Sequence, residues 1–143
     1  MRGRFCYKAR VLVRRFDEAA VVEIHRLNSH LLMDAGDLGS RNCSVHWLVV
    51  PAGTSEELRS HEESEQVYVV VKGTGTMTAT GDTQSLAEGD LVLIPPATDH
   101  AVANDGADTL ALVSVQSPSV SADELYSRRL ATQAAGYDDE YDE

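Results

Sequence analysis

Apolar positions along the chain fall in short runs, several alternating with polar ones, and glycine, proline or asparagine breaks most of the gaps between them. Residues 9–15 (ARVLVRR) read as a strand with a basic outer face, and residues 21–27 (VVEIHRL) alternate as a second one. Residues 30–42, with Gly36, Gly39 and Asn42, read as a loop. Residues 44–50 (SVHWLVV) are β-branched and aromatic, a strand ended by Pro51-Ala52-Gly53. Residues 66–72 (QVYVVVK) are nearly all apolar and too short for a helix between polar turns, which predicts a buried strand. Residues 76–80 lead into a Gly81-Asp82 turn, a hairpin signal. Gly89-Asp90 opens a strand over 91–94 that Pro95-Pro96 closes, and further strands follow over 100–103 and 109–115. Only residues 122–134 (ADELYSRRLATQA) predict a helix, with Ser121 as N-cap and acids in the first turn. Many short strands separated by turn signals predict an all-β antiparallel sandwich or barrel.

The chain has 143 residues, one domain's worth, with no internal repeat and no splitting linker. Such a length buries enough surface to fold without a disulfide or structural metal. No apolar run is long enough to span a membrane as a helix. The start, MRGRFCYKARVLVRR, is charged throughout and lacks the apolar stretch of a secretory signal. With Cys6 and Cys43 read as two reduced thiols, the expected location is cytoplasmic. The net charge of −11 argues against nucleic-acid binding, which needs a basic footprint. The charge is uneven: residues 1–15 hold six bases and no acid, whereas five of the last six residues are acids. These ends read either as solvated termini or as mutually attracting segments. Apolar strands such as VYVVV carry more hydrophobic surface than a thin sandwich hides, so a homodimer is expected.

The histidines are His25, His30, His46, His61 and His100. Two of them sit in recognisable spacings. Gly53 is followed by five residues, then Arg59-Ser60-His61, four more to Gln66, and six more to Gly73. Gly89 is followed by five residues, then Pro95-Pro96-Ala97, two more to His100, and three more to Asn104. This resembles the two motifs of the cupin superfamily, G-x5-H-x-H-x(3,4)-E-x6-G and G-x5-P-x-G-x2-H-x3-N. All spacings are kept. Arg59 stands for the first histidine, Gln66 for the glutamate and Ala97 for a glycine. The resemblance implies a small single-domain cupin over residues 1–143: a jelly-roll-like double-stranded β-helix with its barrel core at about 40–118. Added to the core are N-terminal strands within 9–27, a C-terminal helix at about 122–134 and an acidic tail over 137–143.

The resemblance also implies a divalent metal (Zn, Fe, Ni, Mn or Cu) held by His61, Gln66 and His100, with His46 and Glu65 as further candidates. Glu65 and Gln66 are sequential on a strand, so only one of them enters the cup, and the six-residue gap to Gly73 favours Gln66. His46 either supplies a ligand or faces away while Val45, Trp47 and Val49 form the core face. Trp47 and Tyr68 either pack or line the cavity, Tyr68 sharing the strand face of Gln66; His25 and His30 read as exposed or structural. Arg59, always cationic and no metal ligand, leaves three arrangements open. It clamps a substrate anion on the metal, it pairs with a buried carboxylate at a site whose metal is weak or lacking, or it swings out of the barrel.

The implied function is a metal-dependent enzyme acting on a small anionic or carbonyl-containing substrate, with Arg59 and Tyr68 as catalytic candidates. A nearly neutral ligand set leaves the metal's charge for an enolate. That favours cyclisation or isomerisation of a polyketide-like or hydroxyacid substrate. The alternatives are a cupin dioxygenase and a non-catalytic binding or sensing module with Arg59 as anion anchor.

Overall fold

The structure is a computed structural model that describes residues 10–24, 26–40 and 42–121. Ten strands follow in order: β1 Ala20–Ile24, β2 Leu27–Met33, β3 Ser44–Val50, β4 Thr54–Ser55, β5 Glu65–Lys72, β6 Gly75–Ala79, β7 Asp82–Leu86, β8 Leu91–Ile94, β9 His100–Asn104 and β10 Leu110–Ser117. They form a six-stranded sheet in the order β1-β2-β3-β10-β5-β8 and a four-stranded sheet in the order β4-β9-β6-β7. Every pairing is antiparallel. The protein is therefore the all-β sandwich that the strand spacing predicts. The helix expected over 122–134 and the acidic tail lie outside the described residues. Among the described residues, no helix is long and apolar enough to cross a membrane.

Two N-terminal expectations are corrected. Residues 10–15 form no strand. Arg14 donates from Nε to the Leu32 carbonyl at 2.8 Å and pairs with Asp37, so side chains rather than a backbone ladder hold this segment. Phe16 then stacks on His30 and meets Trp47 edge-on, ring centroids 4.6 and 5.3 Å away. The alternating run 21–27 is not one strand. Ile24 pairs with Leu27 across a tight reversal in which Arg26 has φ 73°, and β2 then runs on through residues 30–33, which had read as loop. Alternation carries no sign of direction, so a two-residue turn inside it is invisible to periodicity.

The inner face of the large sheet is graded along its strands. At one end Leu48, Leu112 and Val70 stand side by side on β3, β10 and β5, with Val50 and Leu110 beyond them. Met77, Leu86 and Val102 of the second sheet join this apolar core. At the other end the same three strands present Ser44, Gln116 and Gln66 in one row and His46, Ser114 and Tyr68 in the next, all buried. Burying that many polar groups is costly unless they are hydrogen-bonded or serve a ligand. The polar end of the sandwich is thereby marked as the site.

Gly73 shows how local chemistry fixes the frame. Its φ is +84°, and a Cβ there would stand 2.5 Å from the Thr109 carbonyl oxygen, so only glycine fits the β5–β6 turn.

Candidate functional site

Backbone hydrogen bonds seat the first glycine–histidine segment against the second. Gly53 N–H donates to the Asn104 carbonyl at 2.7 Å and Glu56 N–H to the Val102 carbonyl at 2.8 Å. Arg59 and His100 exchange both of their bonds, at 3.1 and 2.8 Å, and Ala97 N–H donates to the His61 carbonyl at 2.7 Å. Asn104 locks the far end: its Nδ2 donates to the carbonyls of Val50 at 2.9 Å and Asp108 at 2.8 Å. Arg59 and His100 are thus directly opposed, and residues opposed in this way project their side chains to the same face.

The carboxylate of Glu56 is fully buried and takes three kinds of donor. Arg59 Nη2 lies 2.8 Å from Oε2, the Tyr68 hydroxyl lies 3.1 Å from both oxygens, and Val102 N–H lies 3.1 Å from Oε1. Burial, reinforced by the Glu56 charge, pushes the Tyr68 phenol well above its ordinary range, so Tyr68 keeps its proton. The Tyr68 ring meets the His100 ring edge-on at 6.1 Å.

The rings of His61 and His100 stand 5.7 Å apart, centroid to centroid, in the interior. His100 Nδ1 lies 2.9 Å from the Thr98 carbonyl, which can only accept, so Nδ1 carries the proton and Nε2 a lone pair. That Nε2 is buried without a hydrogen-bond partner. Burial lowers the His100 pKa against the pull of the Thr98 carbonyl. His61 Nε2 faces Gln116 Nε2 at 3.1 Å, which makes the ring nitrogen the acceptor. His46 is buried on the inner face, its Nε2 is 3.6 Å from Asp34 Oδ1, and burial lowers its pKa against the pull of that carboxylate.

Ser29, His46, Leu48, Arg59, Gln66, Tyr68 and Ser114 enclose a cavity of about 10 Å³, the scale of a single water. Three buried atoms of its walls, Ser29 Oγ, His46 Nε2 and Gln66 Oε1, have no hydrogen-bond partner. A larger pocket of about 460 Å³ lies outside, bordered by His61, Glu62, Glu63, Ser64, Pro118, Ser119 and Val120. His61 borders the outer pocket, and its ring faces that of His100.

Residues 46–116 match the Cupin domain family. The chain is a cupin. Among curated relatives, an uncharacterized protein of Methanocaldococcus jannaschii is 33% identical over 73 residues, 51% of this cupin and 58% of that protein. The mannose-1-phosphate guanylyltransferase of Escherichia coli is 32% identical over 87 residues, 61% of this cupin but 17% of the enzyme. This cupin thus spans less than two thirds of those relatives. Among solved structures, one provisionally named oxalate decarboxylase, from Thermotoga maritima, superposes with TM-score 0.69 at 19% identity, covering 75% of this cupin and 99% of that chain. Another, provisionally named sugar phosphate isomerase, from Acidithiobacillus ferrooxidans, has TM-score 0.56 at 30% identity, covering 64% of this cupin and 58% of that chain.

In this cupin Gln66 and Tyr68 enter the interior, while Glu65 lies exposed on the opposite face and cannot reach it. His46 points inward. Val45, Trp47 and Val49 lie on the outer face, Trp47 against Phe16, so the reading that placed those three in the core is corrected. Arg59 takes the second of its three arrangements, paired with a buried carboxylate. That carboxylate, Glu56, is the residue sequence reasoning missed, along with Gln116 and Ser114. The only signal was an acid inside the five-residue spacer before Arg59, beside the exposed Glu57.

The donor set does not fit a resident divalent cation as it stands. The position of the first ligand holds a guanidinium already joined to Glu56. His61 Nε2 accepts from Gln116. Among the described residues, no three His, Cys, Asp or Glu side chains gather closely enough to share an ion.

Proposed function

We propose that this cupin is a small-molecule enzyme that moves a proton on a carbonyl-containing substrate, an isomerisation or cyclisation without redox change, using its own side chains. The observation that carries this reading is the pairing of a phenol that stays protonated, Tyr68, with an imidazole lone pair that lacks a partner, His100 Nε2, their rings 6.1 Å apart. An acid and a base held in opposite states side by side are what proton transfer next to a carbonyl needs.

In this mechanism His100 Nε2 removes a proton from the carbon next to the carbonyl. The electron pair moves onto the carbonyl oxygen, where the Arg59 guanidinium and the Tyr68 hydroxyl, turning its one proton from Glu56 to the substrate, meet the growing charge. In an isomerisation the neighbouring hydroxyl passes its proton to the enolate oxygen and becomes the new carbonyl, while His100 returns its proton to the former carbonyl carbon. In a cyclisation the enolate carbon instead adds to a second carbonyl of the substrate, whose oxygen takes the proton from His100. Glu56 is a positioning residue: it aims Arg59 and Tyr68 and does not itself touch substrate. Because Arg59 is already balanced by Glu56, the substrate needs no carboxylate of its own, which favours a neutral carbonyl compound over an anion held by Arg59. The name borne by one structural relative, provisionally a sugar phosphate isomerase, lends support for a polyhydroxylated carbonyl compound.

The test is solvent exchange. The protein is incubated in D₂O with aldoses, ketoses, their phosphates and 1,3-dicarbonyl compounds, and deuterium at the carbon next to the carbonyl is followed by NMR. Exchange that His100→Gln and Tyr68→Phe each slow by about 100-fold or more is expected. Exchange at the uncatalysed rate across all these classes would overturn the reading.

A further inference from the structure

The inner wall of the larger sheet encloses a polar space to which the proton transfer assigns nothing. Ser29 on β2, His46 on β3, Ser114 on β10 and Gln66 on β5 line it, beside Tyr68 and Arg59. At about 10 Å³ it has room for one oxygen atom and no more. Ser29 is 2%, His46 3% and Gln66 1% exposed, yet Ser29 Oγ, His46 Nε2 and Gln66 Oε1 have no hydrogen-bond partner. The Gln66 amide is fixed in direction, because its Nε2 donates to Ser114 Oγ at 2.8 Å and leaves Oε1 in want of a donor. His46 Nε2 stands 3.6 Å from Asp34 Oδ1, beyond hydrogen-bond range. Three unpaired buried polar atoms around one space are too costly to leave dry.

We propose that this space is a subsite for a single hydroxyl oxygen: it holds one water in the free protein and, in the complex, the hydroxyl on the carbon next to the substrate's carbonyl. The second half rests on the proton-transfer reading above and narrows it to compounds that carry hydroxyl and carbonyl on adjacent carbons. The pattern of donors and acceptors selects the occupant. Gln66 Oε1 must receive a proton and the Ser29 hydroxyl has one to give, and a water or hydroxyl serves both. A carbonyl, a carboxylate or a halide has no proton for Gln66. An ammonium or metal ion would stand beside the Arg59 guanidinium. An alkyl group would leave all three atoms unpaired. Arg59 and Tyr68, which meet the carbonyl oxygen in the proton transfer, also border this space, so an oxygen lodged in it belongs to the neighbouring carbon. Isomerisation needs that adjacency, since the hydroxyl hands its proton to the enolate oxygen. A substrate hydroxyl that reproduces the bonds of the water displaces it without loss of affinity.

The experiment has two readouts on the full chain. Magnetic relaxation dispersion of water counts long-lived buried waters. One should vanish in Ser29→Val, whose methyls fill the space, with circular dichroism unchanged. Ser29→Ala, which removes one partner and adds no bulk, should shorten the residence of that water by about tenfold. Exchange in D₂O then compares glucose and ribose with their counterparts deoxygenated next to the carbonyl, and hydroxyacetone with butanone. The acceleration over the uncatalysed rate should be at least about 100-fold greater for the hydroxylated member of each pair. Ser29→Ala should cut that preference by about tenfold while leaving the deoxygenated member within about twofold, which a merely structural role would not do. Equal acceleration of both members, unchanged in Ser29→Ala, would overturn the subsite and leave the proton-transfer reading standing. No acceleration of any compound would overturn that reading and the substrate half of the proposal with it. A space that is dry by relaxation dispersion would overturn the subsite outright.

Discussion

Arg59 Nη2 and Glu56 Oε2 meet at 2.8 Å, three residues apart in sequence, with the carboxylate shut off from solvent. Breaking such a pair from one side strands the other charge, whereas replacing both leaves nothing to strand. Glu56→Gln and Arg59→Met are each expected to lower the unfolding free energy by about 3 kcal/mol. The double variant should stand closer to the natural protein than either single one. Urea titrations in a double-mutant cycle measure the coupling, and additive losses would show that the pair contributes nothing jointly.

Arg59 also occupies the place of a ligand. Arg59→His puts a third imidazole beside His61 and His100 on the strand opposite His100. Zinc or nickel affinity should rise by at least about tenfold, read by isothermal titration and by metal content after dialysis. Unchanged affinity would mean that the guanidinium is not what keeps metal out.

Ala97 has φ +59°, a left-handed conformation that costs a side chain with a Cβ. Ala97→Gly should therefore stabilise by about 0.5–1 kcal/mol, and thermal unfolding should shift upward. Gly73→Ala, at φ +84° and facing the Thr109 carbonyl, should do the reverse by more than that.

Acidification should destabilise the fold through His46 and His100. Both have folded pKa values below the ordinary 6.5, burial being the main cause. Between those values and 6.5 the unfolded chain binds more protons than the folded one. Stability therefore rises with pH in that window and falls as pH drops through 6.5, by up to about 1.4 kcal/mol per pH unit for each ring. His46→Asn and His100→Asn should each flatten the slope in chemical denaturation between about pH 7 and about pH 5, where histidine titrates. A slope that neither substitution changes would place the pH response elsewhere.

How much was legible follows from the kind of signal each element carries. The strands β3, β5 and β8 announce themselves by β-branched runs between glycines and prolines, and the structure bounds them within a residue of their sequence reading. The motif spacings imply that His61 and His100 share one site, and their rings stand 5.7 Å apart; the direct opposition of Arg59 and His100 was not among the expectations. The β1–β2 reversal is not legible either, since alternation looks the same on both sides of Arg26. Nor is the inward side of β3: SVHWLVV offers valines and a tryptophan to one face and leucine, valine and histidine to the other, and only the neighbours decide. Glu56 was hidden for a related reason. The chain leaves the strand after Ser55, so parity counted from Thr54 does not reach the carboxylate that joins Arg59 to Tyr68.

The bonds that seat residues 53–61 against residues 97–104 come from main-chain amides and carbonyls, with one addition from the Glu56 carboxylate, which accepts from Val102 N–H. None of them depends on which side chain Arg59, His61 or His100 carries. The cup is in this sense a socket whose fittings can be exchanged without rebuilding the wall. A guanidinium can replace an imidazole, or an amide a carboxylate, and the opposed positions stay where they were. Libraries that randomise residues 61, 66 and 100, and that vary Glu56 and Arg59 only together so that neither charge is stranded, while leaving Gly53, Gly73 and Asn104 untouched, should yield mostly folded proteins, from which new chemistries can be selected on an unchanged scaffold.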